Sequence, residues 1–223
     1  MIHGTQSEVF YQRLPALVPG GGEYRNDNMT FKPRHHREHL YFITATVLGW
    51  KPLFTQPEYA LIILNSLDWH REQNRWLLFA YVLMPHHLHA LIKPRNPFTI
   101  SQVVQSFGSF TAHAILNQLR RNERTDWLQF FSRRQDKDTN KRHQIWRPIQ
   151  AKNVYSEPFL RQKLSYIHHN PVAKGWDLAR EPADYPYSSA CYYERGSIPV
   201  VAVTDIWAWW HGEDAPEDGG WER

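Results

Sequence analysis

Trp76-Leu77-Leu78-Phe79-Ala80-Tyr81-Val82-Leu83-Met84, then Pro85-His86, then His87-Leu88-His89-Ala90-Leu91-Ile92, is the stretch whose reading decides the fold. Nine apolar, aromatic and β-branched residues form a run too short to span a bilayer and well sized for a buried strand. Pro85 removes a backbone donor and breaks the run. It resumes at His87, and a connection this tight makes the two strands antiparallel neighbours. Side chains alternate along a strand, so His87 and His89 share one face and Leu88 takes the other. Two imidazoles about 7 Å apart along a strand can converge on one ion. Alone, the pair is weak evidence, because chance His-x-His spacings are common in a chain with 13 histidines.

Working outward, Leu40-Tyr41-Phe42-Ile43-Thr44-Ala45-Thr46-Val47-Leu48 reads as an earlier strand. Between the two, Pro57 to Gln73 places Tyr59, Ile62, Ile63, Leu67 and His70 at helical spacing. After the hairpin, residues 99–121 predict a second helix. Its apolar stripe is Ile100, Val103, Val104, Phe107, Phe110, Ala114, Ile115 and Leu119, and Thr99 or Ser101 would cap it. Residues 122–144 are polar and charged and read as a loop. Ile145 to Val154 reads as a fourth, irregular strand, with Pro148 suited to an edge or a bulge. Ser156-Glu157-Pro158 then opens a third helix that ends near Asn170, before Pro171.

The order β-α-β-β-α-β-α predicts an α+β fold: a four-stranded antiparallel sheet of split β-α-β (ferredoxin-like) type, with a last helix brought to the sheet. Residues 1–36, with Pro15, Pro19 and Gly20-Gly21-Gly22, read as a flexible extension. Residues 37–196 form the domain, in which 184–196 is a short packing element. Residues 197–223 form an acidic tail rich in tryptophan, for which docking and disorder are both open.

Charge is uneven. Residues 30–196 carry 23 basic and 13 acidic side chains, whereas residues 197–223 carry one basic and six acidic. A basic body points to a polyanionic partner, most simply nucleic acid. The single cysteine, Cys191, excludes an internal disulfide framework and any zinc site of several thiolates, so a reducing, cytoplasmic setting is expected.

The second chemical segment is Tyr166-Ile167-His168-His169-Asn170-Pro171. Tyr166 and Asn170, four apart, lie on one helical face, with Lys163 one turn earlier and Leu160, Leu164 and Ile167 on the apolar face beside it. Joined to the hairpin, the segment makes a reaction conceivable. Tyr166 would attack a phosphodiester, and a magnesium or manganese ion on His87, His89 and Asn170 would polarise the phosphate. His168 and His169 read as helix-end histidines, with His169 an alternative ligand. Arg120, Arg121, Arg133, Arg134, Lys141 and Arg142 are candidate DNA phosphate contacts beside Lys163. Trp146 and Tyr155 are candidates for stacking on unpaired bases or for core packing.

Tyr41-Phe42-Ile43-Thr44, Tyr81 to His89, Phe110-Thr111, Tyr166 to Val172 and Asp184-Tyr185-Pro186-Tyr187-Ser188-Ser189 stand here in an order and spacing that resembles the single-tyrosine HUH transposases (IS200/IS605-like), most closely the REP-associated tyrosine transposases. The resemblance covers about residues 39–195. It implies a His-hydrophobe-His metal pair at 87 and 89, a nucleophilic Tyr166 and an amide ligand at Asn170. It also implies cleavage and rejoining of single-stranded DNA beside a palindromic hairpin through a 5′-phosphotyrosine. The short Gly175-containing segment favours a monomer over a homodimer. Two positions depart from the pattern: His86 stands where relatives often have Asn, and Gly108 where a basic residue is common. The alternatives are a domesticated hairpin-binding protein without turnover and a hydrolytic metal nuclease.

Overall fold

Strand β1 (Leu40–Thr46) is central because both of its faces are apolar. Ile43 and Ala45 point into one core, Leu40 and Phe42 into another. The computed structural model describes residues 39–132 and 144–212. After β1 come helix α1 (Pro57–Glu72), the hairpin β2 (Trp76–Met84) and β3 (His87–Pro94), and helices α2 (Ile100–Arg121) and α3 (Thr125–Ser132). Strand β4 (Gln150–Val154), helix α4 (Glu157–His169) and two short helices, α5 (Ala190–Arg195) and α6 (Ile206–His211), complete the order.

All strand pairs are antiparallel and the sheet order is β2-β3-β1-β4, the split β-α-β arrangement the element order predicts. One face carries α1 and α2, whose Tyr59, Ile63, Leu67, Val103, Phe107, Ile115 and Leu119 join the first core. The other face carries α4, whose Leu160, Leu164 and Ile167 pack with Leu40, Phe42, Phe79, Val82 and Leu91. Strands β2 and β3 are thus buried on both sides, which explains why β2 reads as an uninterrupted apolar run. Among the described residues no helix is long and apolar enough to cross a membrane.

Of the two candidate caps for α2, Thr99 is the one used. Its hydroxyl accepts from the Gln102 backbone N–H while the Gln102 side chain accepts from that of Thr99. Ser156 precedes α4 with extended backbone but makes no side-chain cap bond, so the start of that helix relies on Pro158 in its first turn.

Three sequence expectations change. Residues 125–132 are helical: within the polar stretch, Trp127, Leu128, Phe130 and Phe131 recur at helical spacing and pack on the first core. Phe110 is 59 % exposed, and the α2 stripe runs instead through Val103, Phe107, Thr111, Ile115 and Leu119, a strict four-residue repeat. The fourth strand is shorter than 145–154. Ile145 and Trp146 turn into the core, and Trp146 Nε1 donates to Thr111 Oγ1 at 3.0 Å. Of the two readings open for the tail, its described part follows docking. Val201 is buried, and α6 lays Trp207, Trp209 and Trp210 on the second core. Residues 1–36 and the last part of the tail lie outside the described residues.

The two sheet edges differ. The segment after α4 covers β2: Leu83 N–H donates to Tyr187 O, Ser189 N–H to Tyr81 O and Thr204 N–H to Leu78 O. Strand β4 pairs only with β1, and among the described residues nothing pairs with its outer edge.

Candidate active site

The register converts sequence spacing into a site. Thr44 stands opposite His89 and Thr46 opposite His87 on β1 and β3. His87 and His89 project from the sheet face that α4 covers, and their ring centroids are 4.7 Å apart. Both are largely buried, at 9 % and 6 % exposure. Tyr166, on the exposed flank of α4, brings its Oη to 3.3 Å from His89 Nε2. The hairpin and the late helix, about eighty residues apart in sequence, therefore meet within one chain.

Each imidazole is held by its other nitrogen. His89 Nδ1 lies 2.9 Å from Thr44 Oγ1, and its ring stacks on Phe42 at 5.1 Å. His87 Nδ1 lies 3.0 Å from His86 Nδ1, and the His86 ring rests 5.1 Å from that of Trp176. Neither Nδ1 contact uses an Nε2 atom, the arrangement in which outer partners orient metal-binding imidazoles. Burial, then His86, pushes His87 down to about 4. Burial, then His87 and Lys163, pushes His89 down to about 3. Both rings are therefore neutral at physiological pH and keep lone pairs for a Lewis acid.

Asn170 follows Tyr166 by four residues and is 7 % exposed at the end of α4. Among the described residues no cluster of three or more His, Cys, Asp or Glu could hold a metal. The set expected from the sequence, two imidazoles and an amide, consists of donor types that suit a divalent ion. Lys163 Nζ lies 5.5 Å from the Tyr166 ring centre and 4.7 Å from that of Phe42. Burial, then Lys152, lowers its pKa.

The other candidates fall elsewhere. His168 is fully buried, its Nε2 3.2 Å from Ser189 Oγ, and burial, then His169, pushes it down to about 3. His169 Nδ1 reaches Ser165 O one turn back on its own helix. Arg120 and Arg121 end α2 on the opposite layer, bonded to Asn117 and Gln118. Arg133, Arg134, Lys141 and Arg142 lie outside the described residues. Gly108 packs under Ile149, where a Cβ would come within 2.9 Å of Ile149 Cδ1. Sequence reasoning missed Thr44 and Trp176 and set His86 aside as a local variation. Thr44 lay within a quoted motif, but only strand register reveals its partner.

Neither a family model nor a curated protein matches this chain. Among solved structures, it is similar to a REP-associated tyrosine transposase bound to a REP hairpin, with a TM-score of 0.52 and 17% identity over 83% of this chain and 93% of that one. A structure from Deinococcus radiodurans assigned as a transposase aligns at 17% identity and a TM-score of 0.40, over 67% of this chain and 95% of the other. The chain therefore has the transposase fold that its motifs resemble.

Proposed function

We propose that the protein is a metal-dependent DNA strand transferase of the tyrosine-transposase kind, acting on single-stranded DNA beside a palindromic hairpin. The observation that carries this reading is the 3.3 Å approach of Tyr166 Oη to His89 Nε2, with the ring of a second imidazole, His87, 4.7 Å from that of His89. The solved relative bound to a REP hairpin supports a hairpin-bearing partner.

Tyr166 Oη forms a bond to phosphorus and loses its proton to solvent. The bond from phosphorus to the 3′ oxygen breaks, and that oxygen leaves as a hydroxyl after taking up a proton. The product is a 5′-phosphotyrosine, which a 3′ hydroxyl can attack to rejoin the strand. Bond energy is conserved, so no nucleotide cofactor is required. His87 Nε2, His89 Nε2 and the Asn170 amide would hold magnesium or manganese, which supplies positive charge to the non-bridging oxygens. Imidazole is a softer donor than carboxylate, so this set favours manganese over magnesium. Lys163 adds a positive charge beside the Tyr166 ring, where it would face the phosphate.

Labelled hairpin DNA with a single-stranded flank, incubated with manganese, distinguishes the readings. A strand transferase gives a covalent adduct in the wild type and none in Tyr166→Phe. A hydrolytic nuclease gives free 5′ ends in both. A binding protein without turnover gives a shifted complex and no product, and either of these last outcomes would overturn the reading.

A further inference from the structure

An aromatic and basic strip leads away from Tyr166 towards the open sheet edge. Phe159, Lys163, Tyr166 and Asn170 recur at helical spacing and share one face of α4. Lys152 on β4 stands opposite Phe42 on β1, on the same sheet face as the paired histidines. Lys163 Nζ lies 4.7 Å from the Phe42 ring centre and 5.2 Å from that of Phe159. Lys152 Nζ also lies 5.2 Å from the Phe159 ring centre. The strip ends at Tyr155, stacked 5.8 Å from Phe159 and 77 % exposed, the most exposed of the tyrosines, tryptophans and phenylalanines among the described residues.

This arrangement is costly to leave unused. An exposed aromatic ring stacked on a second ring gains little from burial, and Lys163, half-buried among rings, has given up part of its hydration. Among the described residues neither Lys152 nor Lys163 forms an ion pair, whereas the nearby Glu157 is neutralised by Arg161. A polyanion with flat, unpaired bases complements all of these features: rings for stacking and free ammonium groups for phosphates. Paired bases within a duplex expose only their edges and offer Tyr155 no face.

We propose that Tyr155, Phe159, Lys152 and Lys163 form the track that holds the single-stranded DNA flanking the reacting phosphodiester, with one base stacked on Tyr155. The proposal rests on the strand-transferase reading and adds the path of the strand, from the nucleophile across α4 to the free edge of β4. Trp146, the other stacking candidate, is 7 % exposed and belongs to the core.

The test uses the full chain carrying Tyr166→Phe, so that nothing is cleaved, with fluorescein-labelled oligo(dT) of about 12 nucleotides and a blunt duplex of equal length. Adding Tyr155→Ala weakens oligo(dT) binding about ten-fold and leaves duplex binding within about two-fold. Tyr155→Phe, which keeps the ring, retains the parent affinity. Lys152→Ala lowers the salt dependence of oligo(dT) binding by roughly 0.7 in logarithmic slope. Irradiating 5-iododeoxyuridine within the oligonucleotide cross-links it to Tyr155. A Tyr155→Ala variant that binds oligo(dT) like its parent, an equal loss on duplex, or a parent with no affinity for oligo(dT) each overturns the track. Adduct formation by the wild type on hairpin DNA is read separately, so failure of the track leaves the strand-transferase reading to its own test.

Discussion

At the scale of single residues, the site is a competition for one lone pair. His89 Nε2 meets the Tyr166 hydroxyl at 3.3 Å, and the same nitrogen is the one an ion would use. A bound ion and the phenol proton cannot share it. Tyr166→Phe therefore binds manganese at least as tightly as the wild type while forming no adduct, which titration calorimetry beside the cleavage assay would check. A marked loss of manganese affinity in Tyr166→Phe would mean the phenol is itself a ligand. Thr44 has the opposite character. Thr44→Val keeps the shape of the side chain and removes the hydroxyl beside His89 Nδ1. Loss of such an orienting partner costs about 10-fold or more in metal affinity, and the same calorimetry reads it. That the meeting of His87, His89 and Tyr166 is foreseeable from spacing, but the contacts of Thr44 and His86 are not, has a physical cause. Alternation and helical repeat follow from local geometry, whereas a tether across strands depends on register.

At the scale of elements, α4 is set in place by polar contacts as well as apolar ones. His168 Nε2 lies beside Ser189 Oγ, which also accepts from the Tyr81 N–H and donates to Tyr81 O. This ties the helix bearing Tyr166 to the edge of β2. Ser189→Ala removes three bonds in a dry environment and lowers stability by about 1–3 kcal/mol, measured by urea denaturation; an unchanged midpoint would remove Ser189 from the anchor. The buried imidazoles also set the response to acid. His87, His89 and His168 are held at about 4, 3 and 3, below the value of 6.5 for a free imidazole. Their depressed values mean that the unfolded chain takes up protons that the folded chain refuses. Their contribution is complete above about pH 6.5 and is lost as pH falls towards 4, at up to about 1.4 kcal/mol per pH unit for each. Replacing His168 with Gln makes the decline between neutral and acid pH shallower, which denaturation at both ends of that window would show. The hairpin was readable because Pro85 punctuates two apolar runs of strand length. Helix α3 was not, because its eight residues sit between charged stretches whose composition outweighs a short apolar repeat.

At the scale of the whole molecule, the described part of the chain brings Tyr166 and both histidines together without a second copy. A mixture of Tyr166→Phe and His89→Ala proteins should accordingly form no adduct, because neither chain is complete. Recovery of activity on mixing would point to exchange of α4 between subunits. The two sheet edges complete this view: the chain after α4 seals β2, while among the described residues nothing pairs with the outer edge of β4. Overall charge foretold a polyanionic partner but not where it binds, because Arg120 and Arg121 fall on the layer opposite the site. Which aromatic is exposed was equally hidden. Trp146 and Tyr155 flank one irregular strand, and only tertiary packing sends the first inward and the second out.

The proposed reaction stands on a covalent bond between Tyr166 and DNA. Mass spectrometry of the proteolysed product formed with manganese and hairpin-bearing single-stranded DNA tests that bond. A nucleotide phosphate is expected on the peptide containing Tyr166, attached through a 5′ phosphate and lost in Tyr166→Phe. Cleaved DNA with a free 5′ phosphate and an unmodified Tyr166 peptide would contradict it.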